Sequence, residues 1–379
     1  MITLVRRLLQ ICLIFRFLQP VKCKPRLQWI AACFYLFKML CLYSSQNMRL
    51  HDNRLAVSCR PSGFWGMVQD FRFKTINTEH MKVLVTGANG FLGQHLIRQL
   101  VDEGKFIIHA CGKGASRLSY GERNSVYYHS FDLTDYKKAQ LLVEKVSPHI
   151  IIHTAAISQP NDCANDKTTC WQTNVGATRT LLRAAQKAKS YFIYLSTDFV
   201  FDGEEGPYDE TATPNPINDY GESKLLAEEM VAMSPLHWAI IRTVLVYGGK
   251  VPGGRGNFIQ WVKDKLTAGE RIKVVDDQFR TPTYVEDLAK GILLVLMKHA
   301  KGVFHISGNE MCTPYQLAEM VAKTLQLDAS LIDKVTADTF KEPAKRPPKT
   351  GFIITKAVKE LGYVPVKLED GLKHAFGIS

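Results

Sequence analysis

The apolar run Val83-Leu84-Val85 is followed by Leu92, Leu96, Leu100 and Val101 at helical spacing, and the pattern stops at Gly104, a ready C-cap. This predicts a strand, a glycine turn and an amphipathic helix, in that order. The rhythm then repeats, with residues 106–111, 126–130, 150–153 and 191–195 reading as further strands and helical stretches between them. Strands alternating with helices predict an α/β fold on a doubly wound parallel sheet. Past Tyr247 the chain is rich in Gly and Pro through "GGKVPGGRGNF", which marks the passage to a smaller C-terminal α/β domain. The expected division is 1–80 as an N-terminal extension, 81–246 as the main domain and 247–379 as the smaller one. Residues 284–306 are expected to return to the main sheet through 303–306.

Composition changes this picture little. An apolar fraction of 46% and a charged fraction of 22% are those of a globular chain, and 379 residues suffice for about two domains. The net charge of +12 is concentrated in residues 1–80, where twelve Lys/Arg face only Asp52, Asp70 and Glu79, so the rest stands near balance at +3. Neutralising phosphates needs a basic face on the folded body, so no nucleic-acid partner is expected. Of nine cysteines, five precede residue 80, and Cys111, Cys163, Cys170 and Cys312 lack Cys-x-x-Cys spacing. They read as buried, unreactive thiols in a reducing cytoplasm, forming neither a zinc site nor a disulfide framework. Residues 27–43 are apolar apart from Lys38 and follow basic residues, at the lower edge of what spans a bilayer. Three readings stand for residues 1–80: translation from a start upstream of the true one, a membrane anchor, or a targeting or partner segment. No membrane contact is expected unless 27–43 is a real anchor.

Gly87, Gly90 and Gly93 in "TGANGFLG" have G-x-x-G-x-x-G spacing between the first strand and the first helix. Such glycines let the backbone turn sharply, approach a pyrophosphate and pack helix on strand. The helix start at Phe91 and Leu92 meanwhile turns free N–H groups on the anion. A Rossmann-type dinucleotide site is therefore expected. The second strand ends in "GKGASRL" rather than in the acid that would accept a ribose 2′-hydroxyl. Lys113, Ser116 and Arg117 are placed to meet a 2′-phosphate instead, which favours NADP over NAD; a solvated basic loop is the alternative. Asp132 and Leu133 form a candidate adenine contact. The small residues of "TAAIS", Ala155 and Ala156 with Ser158 after them, would let the nicotinamide half lie close to the backbone.

The strand 191–195 runs into "STDFVFDG", and in a parallel sheet ligands lie beyond the carboxyl ends of strands, where Thr197 and Asp198 would emerge. Downstream, Tyr220 and Lys224 in "DYGESKLLAEE" are four apart and share one face of a helix, as Leu225, Leu226, Glu228 and Glu229 suggest. A phenol titrating near 10 is a poor acid or base at neutral pH unless a cation stabilises its phenolate. Lys224 would be that cation: at ~4 Å and an effective dielectric near 20 the attraction is about 4 kcal/mol, enough to lower the phenol by a few pH units. The same spacing at Tyr363 and Lys367 spans Pro365 and is read as chance.

These residues together resemble the extended short-chain dehydrogenase/reductase family, and within it the dTDP-4-dehydrorhamnose reductase group. The resemblance runs from Met81 to Gly377 on "TGANGFLG", "STDFVFDG", "YGESKLLAEE", "RTVLVYG", "TPTYVEDLA" and the "RP…LGY" stretch. It implies Thr197, Tyr220 and Lys224 as the catalytic set, the latter two also against the cofactor, with Asp198 near the sugar. It further implies that Asn174 supports the lysine through water beside the substrate. NADPH would then deliver hydride to the C4 ketone of a nucleotide-linked 4-keto-6-deoxysugar while Tyr220 protonates the oxygen. Phe199 stands where related dehydratases carry an acid, and Val200-Phe201-Asp202 departs from the epimerase pattern, so reduction is expected.

Other positions leave the substrate open. The group often has a Trp where this chain has Leu245. Arg280 is read as a phosphate contact or a solvated loop arginine, and Arg346 in "KRPPKTGF" as a substrate contact or a structural ion pair. Two rival functions remain: a non-catalytic NADP-binding regulatory subunit, and a reductase or epimerase of another nucleotide sugar. The resemblance allows a homodimer, with or without a shared metal, or a monomer; no metal ligands are assigned.

Overall fold

The computed structural model describes residues 81–254 and 256–378, so the three readings of residues 1–80, with the apolar stretch 27–43, lie outside the described residues. The first half runs β1 (Met81–Thr86), α1 (Phe91–Asp102), β2 (Phe106–Gly112), β3 (Val126–Ser130), α2 (Tyr136–Val146) and β4 (Ile150–His153). Short helices α3 (Pro160–Asn165) and α4 (Lys167–Trp171) lead through a π-helical turn, Gln172–Gly176, into α5 (Ala177–Ala188). Then come β5 (Tyr191–Thr197), α6 (Asp219–Ala232), β6 (Trp238–Thr243) and β7 (Val246–Tyr247). The second half adds α7 (Phe258–Thr267), β8 (Ile272–Val275), β9 (Thr283–Tyr284), α8 (Val285–Met297) and β10 (Gly302–His305). It closes with α9 (Pro314–Leu325), β11 (Ile332–Val335) and α10 (Leu368–Phe376).

Seven strands form one sheet in the order β10-β6-β5-β4-β1-β2-β3, and every pairing is parallel. The fold is thus the doubly wound α/β arrangement that the alternation predicts. Successive side chains of a strand face opposite sides. Val83 and Val85 accordingly pack with Leu96 and Leu100 of α1 and Leu288 and Ile292 of α8. Leu84 packs on the other side with Leu142 of α2, Leu181 of α5 and Val231 of α6. Strand order reverses at β1, flanked by β2 on one side and β4 on the other, and the crevice above such a reversal is where ligands bind. The smaller lobe wraps α7, α9 and α10 around a parallel β8–β11 pair, with Ile259, Val262, Leu317, Val321 and Leu372 at its centre.

One reading of the cysteines is corrected. Cys163 and Cys170 are joined in a disulfide, their Cα atoms 5.0 Å apart, while Cys111 and Cys312 are buried and free. Sequence spacing concealed the pair because it depends on how α3 and α4 fold back on each other. The cytoplasmic reading loses the support it drew from unpaired thiols. Closing so short a loop restricts the unfolded chain by about 2 kcal/mol. Reduction by dithiothreitol, or the double change Cys163→Ala with Cys170→Ala, should therefore lower the urea midpoint by an amount of that order. An unchanged midpoint would show that the bond adds nothing to stability.

Among the described residues no helix is long and apolar enough to cross a membrane, and no cluster of side chains could hold a metal ion.

Candidate active site

Two constructions meet above the sheet. The first is the glycine turn between β1 and α1. A Cβ on Gly93 would fall 2.1 Å from the Gly87 carbonyl oxygen, so only glycine lets the helix approach the turn this closely. The N-cap of α1 is Gly90, with no side-chain cap and no acid in the first turn. The N–H groups around Phe91 and Leu92 are thus left for an anion. Ala155 and Ala156 are half-buried beside this turn and Ser158 is exposed. These residues fit a dinucleotide.

The flanking contacts are less simple than the sequence suggested. Asp132 accepts from the backbone N and the hydroxyl of Thr134 at 2.9 and 2.8 Å, and its other oxygen pairs with Lys113 at 2.9 Å. Leu133 is buried with Leu84 and Cys111 in the sheet's second core, so an adenine contact by its side chain is not what the structure brings about. Lys113 and Arg117 are exposed, and Arg117 donates to the Gly253 carbonyl.

The second construction joins β5 to α6. Thr197 ends β5, and a short 3-10 turn, Asp198–Val200, follows it. Asn218 caps α6 by accepting from the Gly221 N–H at 2.9 Å and donates to the Lys345 carbonyl at 2.8 Å. Tyr220 and Lys224 lie on the inner face of α6, 8% and 3% exposed, and the Thr197 hydroxyl is near enough to the Tyr220 phenol to influence its titration. The three side chains expected to act together are brought together.

Their electrostatics correct the sequence argument. Burial pushes the Tyr220 phenol above its ordinary value, with the nearby Thr197 hydroxyl opposing the rise and the Asp198 carboxylate adding to it. The Lys224 ammonium donates to the Leu195 carbonyl at 2.7 Å and sits 4.2 Å above the Tyr194 ring, rather than lowering the phenol. Desolvation outweighs the pairing that sequence spacing implied. The phenol keeps its proton at neutral pH, as reduction requires of it, although the upward shift makes it a weaker acid than a free tyrosine.

Burial also lowers the Lys224 ammonium to about 7, the Glu228 carboxylate one turn away opposing the shift. An unfolded lysine titrates near 10.4, so between pH 7 and 10 the unfolded chain binds more protons at this position. The folded state is penalised in full below 7 and recovers as pH rises. Lys224→Met should therefore be more stable than the parent at pH 6, with the advantage gone by about pH 10. Urea midpoints at the two pH values check this, and an equal difference at both would contradict it.

Three substrate assignments change. Asn174 is buried and ties the loop after β4 to α6: its amide donates to Ile157 O at 3.1 Å and Ser223 Oγ at 2.9 Å and accepts from Ile157 N at 2.8 Å. The amide's nitrogen and oxygen partners are Ile157 and Ser223, and no direct hydrogen bond joins it to Lys224 among the described residues. Arg280 is 5% exposed and donates to the carbonyls of Phe279, Pro347 and Pro348, with Nε 3.7 Å from Asp198. It anchors the 347–350 segment beneath the site instead of reaching a phosphate or solvent. Asp198 is enclosed by Thr197 at 3.1 Å, by the Thr350 hydroxyl and by Arg280, so its carboxylate shapes the floor. Burial raises its pKa, with Arg280 and the hydroxyls opposing. Arg346 forms an ion pair with Glu342 and is partly exposed.

Residues that the motif reading passed over lie beneath the lysine. Glu228 and Arg242 form a two-pronged buried ion pair, Nε to Oε1 at 3.0 Å and Nη2 to Oε2 at 2.6 Å, each side chain 5% exposed. The signals existed: Glu228 is four residues from Lys224, and Arg242 interrupts an apolar strand. Thr350, which closes over Asp198 from far along the chain, had none.

Comparison with known proteins agrees with this geometry. The RmlD substrate binding domain family matches residues 81–378. The probable low-salt glycan biosynthesis reductase Agl14 of Haloferax volcanii is 30% identical over 299 residues, covering 77% of this chain and 96% of that protein. Methionine adenosyltransferase 2 subunit beta of Rattus norvegicus is 31% identical over 267 residues, covering 69% and 77%. The crystal structure of dTDP-4-dehydrorhamnose reductase from Bacillus anthracis, in complex with NADP, superposes with a TM-score of 0.67 at 27% identity, covering 78% of this chain and 99% of that one. With a matching family over nearly all described residues and relatives of this kind, the chain belongs to the RmlD substrate binding domain family.

Proposed function

We propose that this protein is an NADPH-dependent oxidoreductase that reduces the C4 ketone of a nucleotide-linked 4-keto-6-deoxysugar. The leading substrate is dTDP-4-dehydrorhamnose, giving dTDP-L-rhamnose. The observation that carries the reading is the buried Thr197, Tyr220 and Lys224 cluster beside the open glycine turn, its phenol kept in the acid form. NADP is the cofactor, with NAD as an alternative, and when bound it supplies the hydride. The chain's own part is proton transfer and positioning. Thr197 and Tyr220 bracket the carbonyl oxygen, and Tyr220 Oη donates its proton as that oxygen gains charge. Asp198, held by Arg280 and Thr350, fixes Thr197, while Arg346 at the partly exposed side is placed to meet the diphosphate. The reaction uses a soluble nucleotide sugar and pyridine nucleotide, so we place the protein in the cytoplasm.

The test is NADPH oxidation with a panel of 4-keto sugars linked to dTDP, UDP or GDP. Turnover with a dTDP-linked ketone supports the proposal, and turnover only with another nucleotide moves the substrate but keeps the chemistry. A second reading, a non-catalytic NADP-binding subunit, is favoured by the likeness to methionine adenosyltransferase 2 subunit beta. Its mark would be NADPH binding without consumption by any member of the panel.

A further inference from the structure

Position 112, at the carboxyl end of β2, is where a carboxylate accepting a ribose 2′-hydroxyl would stand in a sheet of this kind. Here the position is shut. A Cβ on Gly112 would lie 2.8 Å from the Tyr128 hydroxyl and 3.3 Å from both Cγ and the backbone N of Asn89. Both neighbours are fixed. Asn89, 8% exposed, places the two N–H groups of Nδ2 among three acceptors, the Tyr128 hydroxyl at 2.7 Å and the carbonyls of Lys113 and Ala115 at 3.0 and 2.8 Å. Its Oδ1 accepts from the Arg117 N–H at 3.0 Å. Tyr128 in turn donates to the Gly114 carbonyl at 2.9 Å, and Ser130 donates to the same oxygen at 2.7 Å.

One amide therefore gathers the backbone polar groups of the 113–117 loop inward, and the side chains of Lys113, Ser116 and Arg117 are left exposed. The contacts of Lys113 with Asp132 and of Arg117 with Gly253 are solvent-exposed and weak enough for a phosphate dianion to join or replace. We propose that Asn89 and Tyr128 set the cofactor preference. By holding this loop and closing position 112 to a carboxylate, they select a nucleotide bearing a 2′-phosphate over one with a free 2′-hydroxyl. The inference rests on the reading of the glycine turn as a dinucleotide cradle and is independent of the sugar.

A merely structural Asn89 would weaken both nucleotides alike, whereas a selective one changes their ratio. Calorimetric titration of NADPH and NADH into the whole protein separates the two. The parent should prefer NADPH, and Asn89→Ala should shrink the affinity ratio about tenfold, mainly through NADPH. Tyr128→Phe, which keeps the ring and is the milder change, should shrink it about threefold. Gly112→Asp should gain no NADH affinity while the Tyr128 hydroxyl remains. Gly112→Asp combined with Tyr128→Phe should move the preference towards NADH. A folded Asn89→Ala or Tyr128→Phe variant with the parental ratio overturns the inference alone. A parent that binds neither nucleotide overturns the cradle reading and the inference with it.

Discussion

Tyr220→Phe should abolish most ketone reduction, a loss of roughly a hundredfold to ten-thousandfold in kcat, while nucleotide binding stays intact. The change removes one oxygen and leaves the ring, which packs edge-on to Phe199 with centroids 5.7 Å apart. The fold should tolerate it, since losing one hydroxyl's hydrogen bond costs about 1 kcal/mol. The catalytic loss should be large because the nascent alkoxide needs a proton where solvent is excluded, and Tyr220 is only 8% exposed. Because burial holds the phenol above its ordinary range, it carries its proton throughout the neutral range, so the loss should be nearly independent of pH between 6 and 8. Parallel measurement of NADPH affinity and steady-state rates checks both parts. A variant that keeps parental kcat would remove Tyr220 from the chemistry.

Glu228→Ala should be the most destabilising single change near the site, costing about 3–5 kcal/mol. It leaves the Arg242 guanidinium buried with no counter-charge, and Arg242 Nη1 already lacks a hydrogen-bond partner among the described residues. The Phe201 ring 5.1 Å away offers a cation–π contact that softens but does not replace a carboxylate. His305, held neutral by burial and by the Arg242 charge at a pKa of about 3, cannot compensate. The second arm of the test replaces both partners with apolar residues, Glu228→Leu with Arg242→Met, which should regain most of the loss because the uncompensated charge is gone. Urea unfolding of the single and double variants decides. Equal losses in both would place the cost in packing rather than in the unpaired charge. The pair also touches catalysis, since Glu228 supports the charge of Lys224.

How far the sequence reached depends on the range of the interaction. The alternation of Val83, Leu84 and Val85 with the helical leucines of residues 92–100 is local, and it revealed the doubly wound sheet. Tyr220 and Lys224 are one helical turn apart, so their shared face was legible before any packing was known. Asp198 was legible as a residue at a strand end but not as a buried group, because Thr350 and Arg280, which enclose it, arrive from distant segments. The Cys163–Cys170 bond likewise needed the fold of two short helices. The sign of the Tyr220 shift was misread for a related reason. Spacing reports the neighbouring charge, but burial, which comes from the whole fold, is the larger effect here.

The most direct test of the account is a reduction of dTDP-4-dehydrorhamnose with NADPH deuterated at the transferred position. The account expects one NADPH consumed per sugar and deuterium bound to C4 of the product. NADPH that binds yet is never consumed, or product that carries no deuterium at C4, would contradict it.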